Sequence, residues 1–225
     1  MAIIRAVPET ERPRQADVLR QLLLARAADG PPHEVAVVGN APVPPSAERA
    51  RRIDGAGLVV RMTTFAVDAA VPAIGTRTDA VVLHRGLRPG PDTFADHRRR
   101  LYLLAEPGRA YWEEEALPAW WPADLDLVPI SNREFTSRTR RAMRLGRVDI
   151  VWPTTGTLAV HLARRLFPGA RILLAGSSLP GGPPPSGRLA HHWGGDVRVT
   201  PEHRLEKERR LLERWRRQGW LEVLR

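Results

Sequence analysis

Several short stretches of the chain carry residue types that could bind a phosphate and move a proton. Gly39 and Asn40 follow an apolar run, and Thr154, Thr155 and Gly156 open a predicted helix. Two regions near the C-terminal end carry histidine. Free N–H groups at a helix start bind phosphate, and a neutral imidazole accepts a proton. These residue types indicate a site for an anionic ligand with a proton acceptor nearby.

The stretch from Glu34 to Arg61 predicts a strand, a loop, a helix and a second strand. Residues 35–38 are apolar and end at Gly39 and Asn40, Ser46 caps the helix, and Leu58 to Val60 form the second strand. Ligands bind beyond the carboxyl ends of strands in open α/β sheets, so Gly39, Asn40 and Arg61 are expected to face one. The alternative is an ordinary crossover with a turning glycine and a solvated arginine.

A second informative unit lies between residues 149 and 176. Residues 149–152 predict a strand, residues 153–156 a helix entry, and residues 171–175 another strand that ends at Gly176. Thr154, Thr155 and Gly156 would present N–H groups and hydroxyls at the positive end of that helix. A simple N-cap is the alternative interpretation.

The histidine at position 203 is predicted to begin the last helix. Thr200 is a good N-cap and Pro201 a good first helical residue, which places His203 in the first turn of a helix to Arg217. A helix N-terminus disfavours the imidazolium, so His203 is expected to be neutral and able to accept a proton. The alternative is a surface histidine.

The remaining chain predicts one globular α/β domain overall, with a lead-in and helix over residues 1–33 and the α/β domain itself over 34–225. Further strands are expected at 79–84, 101–104, 127–130 and 221–224, with helices at 16–28 and 132–145. The helix at 16–28 is expected to pack on the sheet edge, with Asn132 as the cap of the helix at 132–145. The tryptophan-rich stretch 106–124 is either a flap over the core or an acceptor-side lid. Asp124 and Asp126 have the spacing of a carboxylate pair, but we interpret them as loop residues and expect no metal.

The composition of the chain limits the kinds of site it can form and the classes of partner it can bind. The chain has 225 residues, no cysteine and a formal charge of +10, and Lys207 is its one lysine. The absence of cysteine excludes disulfides and thiolate metal sites. With no apolar run long enough for a signal peptide or a membrane span, we expect a soluble cytoplasmic protein. The positive charge favours anionic partners, including a peripheral membrane contact; a nucleic-acid-binding domain built on Arg98–Arg100 and Arg133–Arg147 is an alternative function, although no specific nucleic acid is expected.

Taken in chain order, the strand, loop and helix segments and the two histidine regions described above resemble the animal-type sialyltransferase family, whose members carry four short motifs. The long motif is resembled by residues 35–79, with VAVVGN, ID, VVRM and GTRTD, and the short motif by residues 152–176. The third motif is resembled by His191-His192-Trp193, and the last by His203 and Glu208.

The resemblance implies a single Rossmann-like domain, a variant of the glycosyltransferase A fold with a mostly parallel sheet and helices on both faces. It also implies a CMP-sialic acid donor, a saccharide or other hydroxyl acceptor, inversion, and no metal or other cofactor. The residues implied in nucleotide binding are Gly39, Asn40, Arg61, Thr63, Thr154, Thr155, Gly156, Gly176 and His191. His203 would be the general base, and His192, more than His191, would hold the donor phosphate.

The chain departs from the family pattern in several places. Thr63 stands where the family usually has asparagine, the paired cysteines are absent, no membrane anchor is expected, and Gly194 and Gly195 shorten the third motif. These departures leave open a non-catalytic nucleotide-binding relative as an alternative function.

Overall fold

The central strands are buried on both faces, as the apolar runs in the sequence predict. The computed structural model describes residues 14–106, 117–146, 151–179, 187–200 and 203–225. All residues of the strand Leu58–Met62 are buried, and in Glu34–Val38 only Glu34 is partly exposed. Strands buried in this way belong to parallel sheets that helices cover on both sides.

The described elements are five α-helices and nine strands with two short irregular helices. The helices are α1 (Gln15–Leu24), α2 (Ala47–Asp54), α3 (Ser137–Ala142), α4 (Thr155–Leu166) and α5 (Leu205–Arg217). The strands are β1 (Glu34–Val38), β2 (Leu58–Met62), β3 (Ala80–Leu83), β4 (Leu101–Leu104), β5 (Leu127–Pro129), β6 (Arg171–Ala175), β7 (Arg188–Ala190), β8 (Asp196–Arg198) and β9 (Leu221–Val223). A 3₁₀ turn covers His97–Arg99, and a π-helical turn over Asn132–Thr136 leads into α3.

Seven strands form one parallel sheet in the order β5-β4-β3-β2-β1-β6-β9. In register, Val38 of β1 lies beside Arg61 of β2 on one side and beside Ala175 of β6 on the other. Strands β2 to β5 therefore follow one another on one side of β1, and β6 and β9 lie on its other side. The strand order reverses between β1 and β6. Such a switch point is where open α/β sheets bind ligands.

Alternating side chains divide the core between the two faces of the sheet. Val35, Val37 and Val60 pack with α1, α4 and α5 in the larger cluster. Ala36, Val38 and Val59 pack with Ile53 and Ala56 at the end of α2. Farther along the second face, Phe65 and Trp121 cover β3 and β4. Helices on both faces of a parallel sheet confirm the predicted fold class.

Several element predictions are wrong in detail. The first helix ends at Leu24 rather than at residue 28, because residues 25–28 form turns and Ala28 N donates to the carbonyl of Gly57. It packs on α4 as well as reaching the edge strand β5 through Gln15. Ser131, not Asn132, caps the helical segment that leads into α3.

Another error concerns the strand predicted at 149–152. Val151 and Trp152 lie outside any strand, and residues 149 and 150 fall outside the described ranges. Of the predicted aromatic stretch, Trp121 is buried and Trp120 is exposed, while residues 107–116 also lie outside the described ranges. Within those ranges, no helix combines the length and apolar character needed to cross a membrane.

Candidate functional site

Two glycines bring the ends of β1 and β6 into contact at the switch point. Gly39 N donates to Ala175 O over 2.9 Å, and Ala41 N donates to Gly176 O over 2.8 Å. A Cβ built on Gly39 would lie 2.3 Å from Gly176 O, so no larger residue fits there. Gly176 also has a φ of +59°, which glycine adopts without strain. The backbone therefore closes tightly here, and the chain beyond it opens into a cleft.

The cleft has a volume of about 660 Å³ and lies over the carboxyl ends of the central strands. Loops after β1, β2, β3 and β6, the start of α4 and the β7–β8 hairpin form its walls. The predicted site residues that line it are Gly39, Asn40, Thr63, Thr154, Thr155, Gly156, Gly176, His191 and His203. The fold thus brings together residues separated by more than half of the chain.

Asn40 is held in place by the end of β2. Its Nδ2 donates to Met62 O at 3.2 Å and to Thr63 Oγ1 at 3.1 Å. Thr63 has a φ of +52°, a conformation that β-branched residues rarely adopt, and its hydroxyl donates to Met62 O. Asparagine adopts such a backbone more readily than threonine does. Thr63 lines the cleft, and its hydroxyl fixes the orientation of Asn40.

The N-terminus of α4 presents free backbone donors to the cleft. Thr154 is the N-cap, and its side chain accepts from Thr157 N at 3.3 Å. The N–H groups of Thr155 and Gly156 belong to the first turn and have no intrahelical acceptor. Both residues line the cleft. With the positive end of the helix dipole behind them, these donors form a place for a phosphate oxygen.

A buried carboxylate fixes this turn against α5. Glu208 is 0% exposed and accepts hydrogen bonds from Thr154 N at 3.0 Å, Thr154 Oγ1 at 2.5 Å and Thr157 Oγ1. Burial raises the pKa of Glu208, while the hydrogen bonds from the two threonines and the proximity of His203 act in the opposite direction. Since its oxygens are occupied by α4, Glu208 positions the turn and is not placed to act as a base.

The structure places His203 just before α5, not in its first turn as predicted. The helix begins at Leu205 because Arg204 has non-helical dihedrals, φ −103° and ψ 68°. His203 Nδ1 lies 3.1 Å from Trp152 O, so that nitrogen carries the proton as the donor. Within the described residues, Nε2 makes no hydrogen bond, and in the neutral ring it holds the lone pair. A histidine fixed in this tautomer can accept a proton from a ligand in the cleft.

The β7–β8 hairpin decides which of the adjacent histidines meets the cleft. His191 lines it and packs against Trp193, with ring centroids 5.1 Å apart and the ring planes inclined at 44°. Burial and then the neighbouring His192 lower the pKa of His191. His192 instead turns to the protein, with its backbone N–H donating to Asn40 O and its Nε2 lying 2.9 Å from Ala66 O. The preference for His192 as the phosphate contact therefore does not fit this geometry.

Arg61 is also placed away from the cleft. It is 0% exposed, and its guanidinium donates to the carbonyls of Ile74 and Gly75 at 2.9 and 3.0 Å. Burial lowers its pKa to about 10, with Asp54 and Asp68 opposing that effect. Side chains alternate along β2, so Arg61 points to the face opposite Met62, which does line the cleft. The predicted nucleotide contact of Arg61 is thus replaced by a structural role.

Other charged residues of the cleft escaped the sequence analysis. Arg88 and Arg198 line it, and within the described residues neither forms an ion pair. Asp196 lines it too, but its carboxylate is paired with Arg188. These residues come from a loop and a hairpin with no distinguishing pattern, so no local signal could have identified them. The charge balance of the cleft favours an anionic ligand.

The carboxylate pair considered as a metal site is engaged elsewhere. Asp124 receives hydrogen bonds from His97 and Arg98, both at 2.7 Å, and these contacts lower its pKa, with Arg98 having the larger effect. Asp126 is paired with Arg26. In the described ranges, no group of three or more histidines or acidic residues is arranged to hold a metal ion.

The comparisons with known proteins concern the fold. No family model matches the sequence, and no curated protein matches it significantly. The chain is similar in structure to a mammalian sialyltransferase, with a TM-score of 0.59 and 15% identity over 95% of this chain and 80% of that chain. A mammalian sialyltransferase in complex with Gal-beta-1-3GalNAc-ortho-nitrophenol gives a TM-score of 0.58 at the same identity and coverage. The chain therefore has a sialyltransferase-like fold.

Proposed function

We propose that the chain is a glycosyltransferase that transfers sialic acid or a related acidic sugar from a CMP-activated donor to an acceptor hydroxyl, with inversion. The observation that carries the proposal is the presence of His203 and the N-terminus of α4 in one cleft at the switch point of the sheet. The similarity of the fold to a mammalian sialyltransferase supports the same assignment. The donor and acceptor are substrates, and the proposal includes no cofactor.

In the proposed reaction, His203 Nε2 takes the proton of the acceptor hydroxyl as its oxygen attacks the anomeric carbon. The new carbon–oxygen bond forms while the bond from that carbon to the phosphate oxygen breaks, and CMP leaves with the electron pair. Attack from the face opposite the leaving group inverts the anomeric centre. The general base supplies the proton transfer that makes the hydroxyl a competent nucleophile.

The departing phosphate is the second requirement of this chemistry. We assign the stabilisation of the departing phosphate to the N–H groups of Thr155 and Gly156. His191, on the wall of the same cleft, is the histidine that contacts the phosphate in this proposal. CMP leaves as a monophosphate, with less charge than a nucleoside diphosphate, so a metal is not obligatory for its departure. The carboxylates of Asp124 and Asp126 each have basic partners, which favours a reaction without metal at that place.

Selective stabilisation by nucleotides tests the proposal. Without added divalent ion, CMP should raise the melting temperature, whereas UMP, GMP and AMP should have little effect. A ligand present at a hundred times its Kd and bound only to the folded state adds about 2.7 kcal/mol to stability. Stabilisation by UDP with manganese, equal to or greater than that by CMP, would contradict the proposal and favour a metal-dependent transferase.

A further inference from the structure

Nearly all of the net positive charge of the chain lies on one face of the sheet. Residues 132–144, 155–166 and 205–217, which include α3, α4 and α5, pack their apolar side chains into the larger core cluster on that face. Together these segments carry thirteen basic and four acidic residues, so they hold all but one unit of the formal charge of +10. The rest of the chain is equally rich in arginine but close to neutral. The excess charge therefore belongs to this face.

The four acidic residues of these segments are already occupied. Glu134 accepts hydrogen bonds from the backbone of α1, and Glu208 accepts them from the start of α4. The other two lie on α5 and pair with arginines of the same helix. Most of the basic side chains on this face are thus left without a carboxylate. Within the described residues, the exposed basic side chains that form no ion pair include Arg138, Arg141, Arg144, Lys207, Arg216 and Arg217.

Contacts between the α3 segment and α5 make these side chains one continuous surface. Arg214 Nη2 donates to Ala142 O over 2.6 Å, and Lys207 Nζ lies 3.5 Å from Arg144 O. Along α5, basic residues recur at intervals of three and four from Lys207 to Arg217, which places them on one side of the helix. We call the basic face the surface formed by Arg138, Arg141, Arg144, Lys207, Arg210, Arg214 and Arg217.

The shape of the basic face favours a lipid surface over a nucleic acid. Its helices lie against the sheet with their apolar sides buried, so within the described residues neither α3 nor α5 projects as a groove-reading helix does. Trp152 and Trp220, which adjoin these helices, lie under Arg140 and Arg164, with the guanidinium carbons 5.1 and 4.8 Å from the ring centroids. These arginines cover rings that could otherwise stack on bases. Anionic headgroups need neither feature, because about four to eight basic residues on an amphipathic helix bind them by charge.

We propose that the basic face docks on the surface of an anionic lipid bilayer. Charge complementarity supplies the attraction, since each basic residue close to such a surface improves partitioning about fivefold. Salt screens this attraction. Leu205 and Leu212 of α5 line the cleft, so docking through α5 holds the cleft close to the bilayer. The proposal does not depend on the proposed function, because lipid binding requires no turnover.

Co-sedimentation of the full chain with lipid vesicles tests the proposal. Vesicles of phosphatidylcholine mixed in equal parts with phosphatidylglycerol should bind the wild type at low salt, and added sodium chloride should release it. Vesicles of phosphatidylcholine alone should not bind it. Reversing two charges of the basic face, Arg141→Glu with Arg217→Glu, should lower the partition coefficient for the anionic vesicles about twentyfold or more.

The matched control is Arg51→Glu with Arg99→Glu, which changes the net charge equally at exposed positions outside the three segments. Arg51 lies in the last turn of α2 as Arg217 does in α5, so the effect of a carboxylate at a helix C-terminus is matched as well. This control should keep most of the wild-type binding. Circular dichroism checks that each chain folds, and Arg141→Gln with Arg217→Gln replaces the first variant if charge reversal prevents folding.

Two results would overturn the proposal: no binding of the wild type to anionic vesicles, or equal losses in the basic-face variant and its control. If duplex DNA or single-stranded RNA binds the wild type where the anionic vesicles do not, the nucleic-acid-binding alternative takes its place. None of these outcomes involves CMP, so a failure of docking is distinct from a failure of the proposed function.

Discussion

The hydrogen bond that the His203 ring donates to Trp152 O decides which of the two ring nitrogens can accept a proton. Trp152 O lies 3.1 Å from Nδ1, which makes Nδ1 the donor and Nε2 the atom able to accept a proton. The two carboxylates near the start of α5, Glu206 and Glu208, are less suitable as proton acceptors than His203. Glu208 is fully buried and bonded to α4, and Arg209 and then Arg210 lower the pKa of Glu206 to about 2. At this scale, His203 is the group best prepared to act as a base.

Replacing His203 with alanine should separate chemistry from binding. We expect turnover to fall by about a hundredfold or more, the usual contribution of a positioned general base. The affinity for CMP should stay nearly unchanged, because in the proposed reaction His203 faces the acceptor and not the nucleotide. Steady-state kinetics over a range of pH and CMP titration provide both readouts. An active His203→Ala chain with the wild-type pH profile would contradict the assignment, and a fully inactive wild type that still binds CMP would indicate a non-catalytic relative.

Among the secondary-structure elements, the contact between α4 and α5 has the largest effect on the geometry of the site. Glu208 joins the first turn of α4 to α5 through Thr154 and Thr157, and this junction sets where the free N–H groups of α4 point. Leu205, Leu212 and Trp215 are buried as the helical period predicts, so α5 is anchored by its apolar face as well. The carboxylate adds orientation to a contact that apolar burial already stabilises.

Glu208→Ala should remove the acceptor of three hydrogen bonds at once. The donors of Thr154 and Thr157 would be left buried without a partner, so we expect the free energy of unfolding to fall by about 3 kcal/mol. Urea denaturation measures this loss. Glu213→Ala is the control, since Glu213 lies on the same helix in an ion pair with Arg209 and should cost less than about 1 kcal/mol. Similar losses in the two variants would show that Glu208 does not hold the turn.

The whole molecule carries an excess of positive charge, and we expect one partly buried histidine, His161, to make its stability sensitive to acid. His161 of α4 packs on Trp215, with ring centroids 5.7 Å apart. Burial, followed by the charges of Arg165 and Arg138, lowers its pKa from 6.5 to about 4. Between these values, the unfolded chain binds a proton that the folded chain does not. We therefore expect the contribution of His161 to stability to be full above pH 6.5 and to be lost as the pH drops towards 4.

Because of His161, the free energy of unfolding is expected to fall by about 3 kcal/mol between neutral pH and pH 4. His161→Phe keeps an aromatic ring at the α4–α5 contact and cannot bind a proton, so its stability should depend less on pH by that amount. Urea denaturation at several pH values compares it with the wild type. His33→Phe, a change at an exposed histidine, should keep the wild-type pH dependence. A pH dependence unaltered by His161→Phe would show that this histidine is not the cause.

The sequence by itself determined the parallel sheet and most of the cleft. Continuous apolar runs specify strands buried on both faces, and Ser46 and Thr154 cap α2 and α4 through their own side chains. Both kinds of signal are local in the sequence. Gly39 and Gly176 directly follow the apolar runs of β1 and β6 and so mark the ends of these strands. For that reason, Gly39, Asn40 and Gly176 line the cleft at the carboxyl edge of the sheet as expected, whereas Arg61 does not.

Tertiary structure alone decided which side chains of each motif line the cleft. Arg61 and His192 bond to backbone carbonyls that are distant in sequence, and such partners leave no pattern near either residue. The start of α5 was shifted in the same way, because His203 is tied to Trp152 O before the helix begins at Leu205. Local propensity describes short segments, whereas the direction of a polar side chain depends on the acceptors that the folded chain brings within reach.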